Sequence, residues 1–164
     1  MKEPELRDAA AFVVVGKDVR TNNADEASPT RSKIAGLWRR MDSEVIPGIQ
    51  VVLGATVEPP EIVSAYTAYE SDHTGQYTVV LGVRVDAPPA LPASLTVLHV
   101  PAGKYLVFAG SGPQPATTVD TWRRVWEYFS NSPHLARAYT VDFEAHSGSD
   151  VEIHIAVQGG ARRA

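Results

Sequence analysis

Two hairpin-like segments each carry a glutamate among residues suited to an apolar surface. The first runs from Val63 to Val85 and contains Tyr66, Tyr69, Glu70 and Tyr77; the second runs from Tyr139 to Val157 and contains Phe143 and Glu144. Side chains alternate along a strand, and a tight turn fixes which residues face one another across a hairpin. With Gly148-Ser149 as a two-residue turn, Ser147 faces Asp150, His146 faces Val151 and Glu144 faces Ile153. That register puts Glu144 on the face of Val151, Ile153, Ile155 and Val157. With Thr74-Gly75 as the matching turn, Glu70 faces Val79 and shares a surface with Tyr66, Tyr77, Leu81 and Val83. A three-residue turn, or a bulge at Asp142, would instead turn Glu144 into water.

A carboxylate on an apolar face is desolvated, which raises its pKa unless a cation or hydrogen-bond donors compensate. A cationic ligand would supply that compensation, and neighbouring aromatic faces would add cation–π attraction. The hydroxyls of Tyr66, Tyr69 or Tyr105 would do the same from within the protein. A solvated or internally paired glutamate is the plain alternative to a ligand-binding one.

Other chemistries find little support. There are no cysteines, which excludes disulfides, thiol catalysis and Cys-ligated metals. His146, Glu152 and His154 share one hairpin, yet the two histidines project to opposite faces, so no metal and no cofactor is expected. No GxSxG elbow and no phosphate-cradling glycine loop occurs. With 15 Lys+Arg against 19 Asp+Glu the net charge is -4, and no basic block interleaves with aromatics, so direct nucleic-acid binding is not expected. No apolar stretch approaches the ~18 residues of a membrane span, and the charged N-terminus is no signal peptide. A cytoplasmic protein without membrane contact is the expectation.

The elements that must position the glutamates recur in the same order twice. Ala11 to Gly16 is an apolar run fit for a buried strand. Ser28-Pro29 would start a helix of about three turns carrying Ile34, Leu37, Trp38 and Met41. Strand-like runs follow at Gln50–Val57, Val63–Glu70 and Tyr77–Val85. The second half gives strands at Leu95–Val100 and Tyr105–Gly110, and then a helix. Thr117 would cap that helix, whose apolar stripe is Val119, Trp122, Val125, Trp126 and Phe129; the hairpin around Gly148-Ser149 completes the half. Ala65-Tyr66-Thr67 and Ala138-Tyr139-Thr140 are local echoes of a duplication. Two units suggest a pseudo-twofold α+β domain with a cleft where its halves meet. Trp38 and Trp126 belong mainly to the core stripes, with an edge of either reaching that cleft.

The ordered series resembles the GyrI-like, or effector-binding, domains of multidrug-sensing bacterial transcription activators, and most closely the stand-alone integron cassette effector-binding proteins. It is carried by Val15-Gly16 through Thr21-Asn22, Leu37-Trp38, Ala65 to Asp72, Gly75-Gln76-Tyr77, Pro101 to Phe108, Trp122 to Trp126, Asp142-Phe143-Glu144 and Val151 to Val157. The resemblance implies one domain over residues 1–158, with repeats at about 10–87 and 93–158 and a disordered tail at 159–164. It implies a duplicated β-α-β-β unit, a mostly antiparallel sheet backed by two helices, and a central ligand cleft on the sheet's other side. It carries the role of acidic residue for cationic, amphipathic compounds onto Glu144. Tyr66, Tyr69, Glu70, Tyr105, Phe143 and Trp126 are the further candidates for the lining. His146 departs from the pattern, where an aromatic such as tyrosine would be expected. The DNA-binding helices that precede this domain in the activators are not seen, which leaves room for an unidentified protein partner. Three functions follow: a small-molecule binder, a hydrolase using Glu144 with a cleft tyrosine, and a protein–protein inhibitor.

Overall fold

The computed structural model describes residues 3–48, 62–85, 95–131 and 135–158. Eight strands form one antiparallel sheet: β1 (Glu5–Ala9), β2 (Phe12–Asn22), β3 (Ile62–Thr67), β4 (Gln76–Val85), β5 (Thr96–Val100), β6 (Gly103–Ser111), β7 (Asp142–Ser147) and β8 (Asp150–Ala156). Their order across the sheet is β1-β6-β8-β7-β3-β4-β2-β5. The helices are α1 (Asn23–Glu26), α2 (Ile34–Arg39), which runs on into a π-helical turn (Met41–Val45), and α3 (Ala116–Asn131). The expected strand at Gln50–Val57 and the expected tail at 159–164 lie outside the described residues.

The strand order repeats the unit β-α-β-β about the β3–β7 seam, as expected of a duplicated α+β domain. It also forces the sheet to curl. Strand β1 is separated from β2 by only two residues, yet six strand spacings lie between them in the sheet. Flat, those spacings would span about 29 Å, whereas a link of that length reaches about 11 Å. Strands β5 and β6 are under the same constraint. The curl explains why the β2 run Phe12-Val13-Val14-Val15 is apolar throughout: both of its faces are buried. Phe12 and Val14 join Val63, Ala65, Val80, Tyr105, Val107 and Phe143 inside the curl. Val13 and Val15 pack instead with Leu37, Met41 and Val45 beneath α2. On the same outer face, Val125 of α3 covers Leu106, Phe108, Val151, Ile153 and Ile155.

The helix starts differ from expectation for identifiable reasons. Ser28-Pro29 lies in a turn, and α2 begins only at Ile34. Glu26 fixes that start: its carboxylate accepts from the amides of Lys33 and Ile34 and from the hydroxyls of Thr21 and Ser32. At α3 the capping acceptor is Gln114 Oε1, bonded to the Thr118 amide and hydroxyl, rather than Thr117. Helix α2 packs chiefly on β2 and β4, and α3 chiefly on β6 and β8. Both helices therefore stand on one face of the sheet and flank its central strands. None of the helices described is long and apolar enough to cross a membrane.

Gly16 and Gly82 are paired across β2 and β4, and a Cβ at either would collide with the partner strand's backbone. Gly82→Ala is expected to cost at least about 2 kcal/mol in urea unfolding. Gly103→Ala, where a Cβ meets nothing within 4 Å, is expected to stay within about 0.5 kcal/mol of the parent.

Candidate functional site

The β7–β8 hairpin turns tightly at Gly148, whose φ of 60° suits glycine. Ser147 pairs with Asp150, His146 with Val151 and Glu144 with Ile153, as the two-residue turn requires. Across the seam Glu144 pairs with Ser64 of β3. Glu144 therefore lies on the helix-bearing face at the middle of the sheet, and is only 2% exposed.

Three donors hold its carboxylate. Tyr66 Oη and Trp122 Nε1 each donate to Oε2 at 2.6 Å, and His146 Nε2 lies 2.8 Å from Oε1. A carboxylate accepts only, so Nε2 carries the proton. Donation to an ionised acceptor is the strong kind of hydrogen bond and offsets the cost of burying the charge. Burial, and secondarily the charge of Glu144, pushes the Tyr66 phenol well above its ordinary range, so Tyr66 remains a neutral donor. The hydroxyl of Ser64, fully buried, lies beside Glu144 across the seam.

Aromatic rings surround this centre. Tyr66 meets Trp122 at 5.1 Å and Tyr77 at 5.6 Å, while Trp122 leads out to Trp126 at 6.1 Å. From the other helix, Trp38 stands edge-on to His146 at 4.9 Å. Trp126 is 39% exposed and forms the outer lip.

Of the residues expected at the site, Glu144 and Tyr66 are in direct contact, with Trp126 one ring further out. Tyr69 serves a second buried acid: it donates to Asp142 Oδ2, which Arg137 also holds at 2.7 Å, while the Ala156 amide donates to Oδ1. Burial and the charge of Asp142 raise the Tyr69 phenol as well. Glu70 is not on the strand face. Strand β3 ends at Thr67, paired with Thr78, and Ala68 at φ 52° opens a wider loop. Glu70 is exposed there and accepts from the Gln76 amide. Tyr105 and Phe143 point into the curl, on the face opposite Glu144, with ring centroids 5.4 Å apart.

Trp122 and His146 join the site beyond the expected set, and Trp38, expected mainly in the core stripe, stands against His146. The α3 stripe concealed Trp122 because it merges two directions: Thr121 and Val125 are buried, whereas Val119 and Trp126 are exposed. His146 follows Glu144 by two residues on one strand, so strand alternation places both on one face.

His154 stacks on Phe143 at 4.3 Å inside the curl, and burial lowers its pKa to about 4 despite the nearby Glu152. The unfolded chain therefore binds the extra proton between about pH 6.5 and 4. Stability is full above the unfolded value and falls as pH drops toward the folded one. The decline over that window is expected to reach about 3 kcal/mol in urea unfolding and to shrink substantially in His154→Phe.

Known proteins share this architecture. The Vibrio cholerae integron cassette protein VCH_CASS2, from the mobile metagenome, superposes with a TM-score of 0.79 at 34% identity, covering 94% of this chain and 95% of that one. The structure of SAV2435 bound to tetraphenylphosphonium matches in fold, with a TM-score of 0.75 at 23% identity over 96% of this chain and 95% of that one. The YobU protein of Bacillus subtilis (strain 168) is 27% identical over 151 residues, 87% of this chain and 90% of its own length. The model of the Cass2 family matches residues 5–157, and the chain belongs to that family of integron-associated effector-binding proteins.

Proposed function

We propose that the cleft between α2 and α3 binds small cationic, amphipathic molecules, with Glu144 selecting for positive charge. The observation that carries this is a carboxylate 2% exposed, set among Tyr66, Trp122 and Trp126 rather than among basic residues. Its partners are neutral donors and an imidazole, so a ligand cation meets no arginine or lysine already bonded to that carboxylate among the described residues. Tetraphenylphosphonium in the related SAV2435 fits such a chemistry.

Magnitudes divide the labour. Covering one large aromatic ring removes about 150–250 Å² from water, worth roughly 4–6 kcal/mol at about 25 cal/mol per Å². A cation over a desolvated ring adds about 2 kcal/mol. Apolar contact thus supplies affinity, while the carboxylate supplies discrimination between charges. Entry requires the rings over Glu144 to part, and the Trp122 indole is the natural one to move because Trp126 behind it is exposed.

One observation favours a second function. The Tyr66–Glu144 bond of 2.6 Å is the pairing a Glu/Tyr hydrolase would need, with Glu144 taking a proton from water and tyrosine protonating a leaving group. In this arrangement, however, the tyrosine proton is spent on the carboxylate, whose Oε2 accepts from Trp122 as well. Binding without turnover is the better use of that geometry.

The test is a fluorescence titration of the wild type and Glu144→Gln with matched cationic, neutral and anionic amphiphiles. The cation is expected to bind tightest and to lose roughly 1–3 kcal/mol in the variant, with every probe recovered unchanged. Equal binding of all three classes, unaltered by the substitution, would refute the role of Glu144. Consumption of a probe that Tyr66→Phe abolishes would establish the hydrolase instead.

A further inference from the structure

The donors on Glu144 are distributed unevenly. A carboxylate has about four lone-pair positions. Tyr66 and Trp122 both sit on Oε2, whereas His146 alone sits on Oε1. Among the described residues, the remaining acceptor position is therefore on Oε1, beside the imidazole. His146 is closely held: its side chain is only 13% exposed, with Trp38 edge-on to its ring. Along the sheet it pairs with Ile62 of β3 and Val151 of β8.

Two kinds of cation would meet this oxygen differently. An ammonium bearing a proton donates its N–H to the second lone-pair position of Oε1 at about 2.8 Å and leaves His146 in place. A quaternary ammonium has no such proton, and its methyl groups hold the nitrogen about 4 Å from the oxygen, which weakens the attraction in proportion. Methyl groups around the nitrogen need the space beside Oε1 that the imidazole takes up. Seating the quaternary ion costs the His146–Oε1 hydrogen bond and the packing on Trp38.

We propose that His146 is a specificity-determining residue which, by sharing Oε1 of Glu144, selects N–H-bearing cations such as protonated primary and secondary amines over quaternary ones. This rests on the binding role proposed for Glu144. Hydration alone works in the other direction, because a primary ammonium is the harder of the two to strip of water. A preference for it is therefore a property of the site.

The probes are decylammonium and decyltrimethylammonium, below their micelle concentrations and at about pH 8, where both are cationic. Calorimetric titration compares the wild type with His146→Phe, which keeps a ring against Trp38 but no donor, with His146→Ala, and with Glu144→Gln. The wild type is expected to favour decylammonium about tenfold or more, the scale of one charge-assisted hydrogen bond. His146→Phe and His146→Ala are expected to bring the ratio to within about threefold, chiefly by strengthening the quaternary probe. Glu144→Gln should weaken both probes. A wild-type ratio near one, or a ratio unchanged in both His146 variants, overturns the role of His146 while loss of both probes in Glu144→Gln leaves the cation site standing. If neither probe binds, or Glu144→Gln binds both as the wild type does, the cation site falls and His146 with it.

Discussion

The antiparallel pairing of β3 with β7 is the seam on which the molecule depends, because it joins the inner strands of the two β-α-β-β units at the middle of the sheet, while β1 on β6 and β5 on β2 tie the halves at its edges. Each helix packs mainly on the other strands of its own unit, so the seam lies between the two helices. A strand at the centre of a sheet has paired backbone groups on both sides, so it can tolerate a polar side chain only if that side chain finds its own partners. Glu144 finds three, and they come from β3, β7 and α3. The site is thus part of how the halves are held together as well as a place where something else could bind.

The opposite face of the seam behaves as ordinary core. Short links from β1 to β2 and from β5 to β6 roll the sheet, and the inside of the roll is packed with Phe12, Tyr105, Phe143 and their aliphatic neighbours. Tyr105 satisfies its hydroxyl on the Pro101 carbonyl, and burial pushes that phenol up to about 12. An aromatic residue next to the key acid in sequence is therefore on the wrong side to help it. Phe143 contributes to stability, and only the alternate residues of β7 can contribute to the cleft.

How far the chain could be read in advance depended on turns. Gly148-Ser149 makes a two-residue turn, so one inference fixed the register of β7 on β8 and placed Glu144 opposite Ile153. The first hairpin offered Thr74-Gly75 as a similar cue, but Asp72 takes the Thr74 amide and hydroxyl and builds a longer loop. That loop carried Glu70 out of the strand and into solvent. The echo between Ala65-Tyr66-Thr67 and Ala138-Tyr139-Thr140 is similarly misleading, since the first lies within β3 and the second precedes β7. The duplication is real in strand order, whereas that short motif does not mark equivalent positions. Trp122 was hard to assign for another reason: an α-helix with two apolar directions shows one broad stripe, and only packing tells which residues turn to the core and which to the groove.

Glu144 also links the helices in a way neither unit could achieve alone. Trp122 of α3 bonds to Oε2, and Trp38 of α2 rests on His146, which bonds to Oε1. The two oxygens of a single carboxylate thus reach the two flanking helices by different routes. A cation that takes Oε2 must dislodge the Trp122 indole, and one that takes Oε1 must share that oxygen with His146 or displace it. The displaced donors are buried or half-buried groups that need new partners, so occupancy cannot be neutral for the helix that carries or supports them. In an effector-binding protein this is the property that matters: on the reading proposed above, the group that would recognise charge is the same one that ties both helices to the seam, so binding and rearrangement would draw on one set of hydrogen bonds.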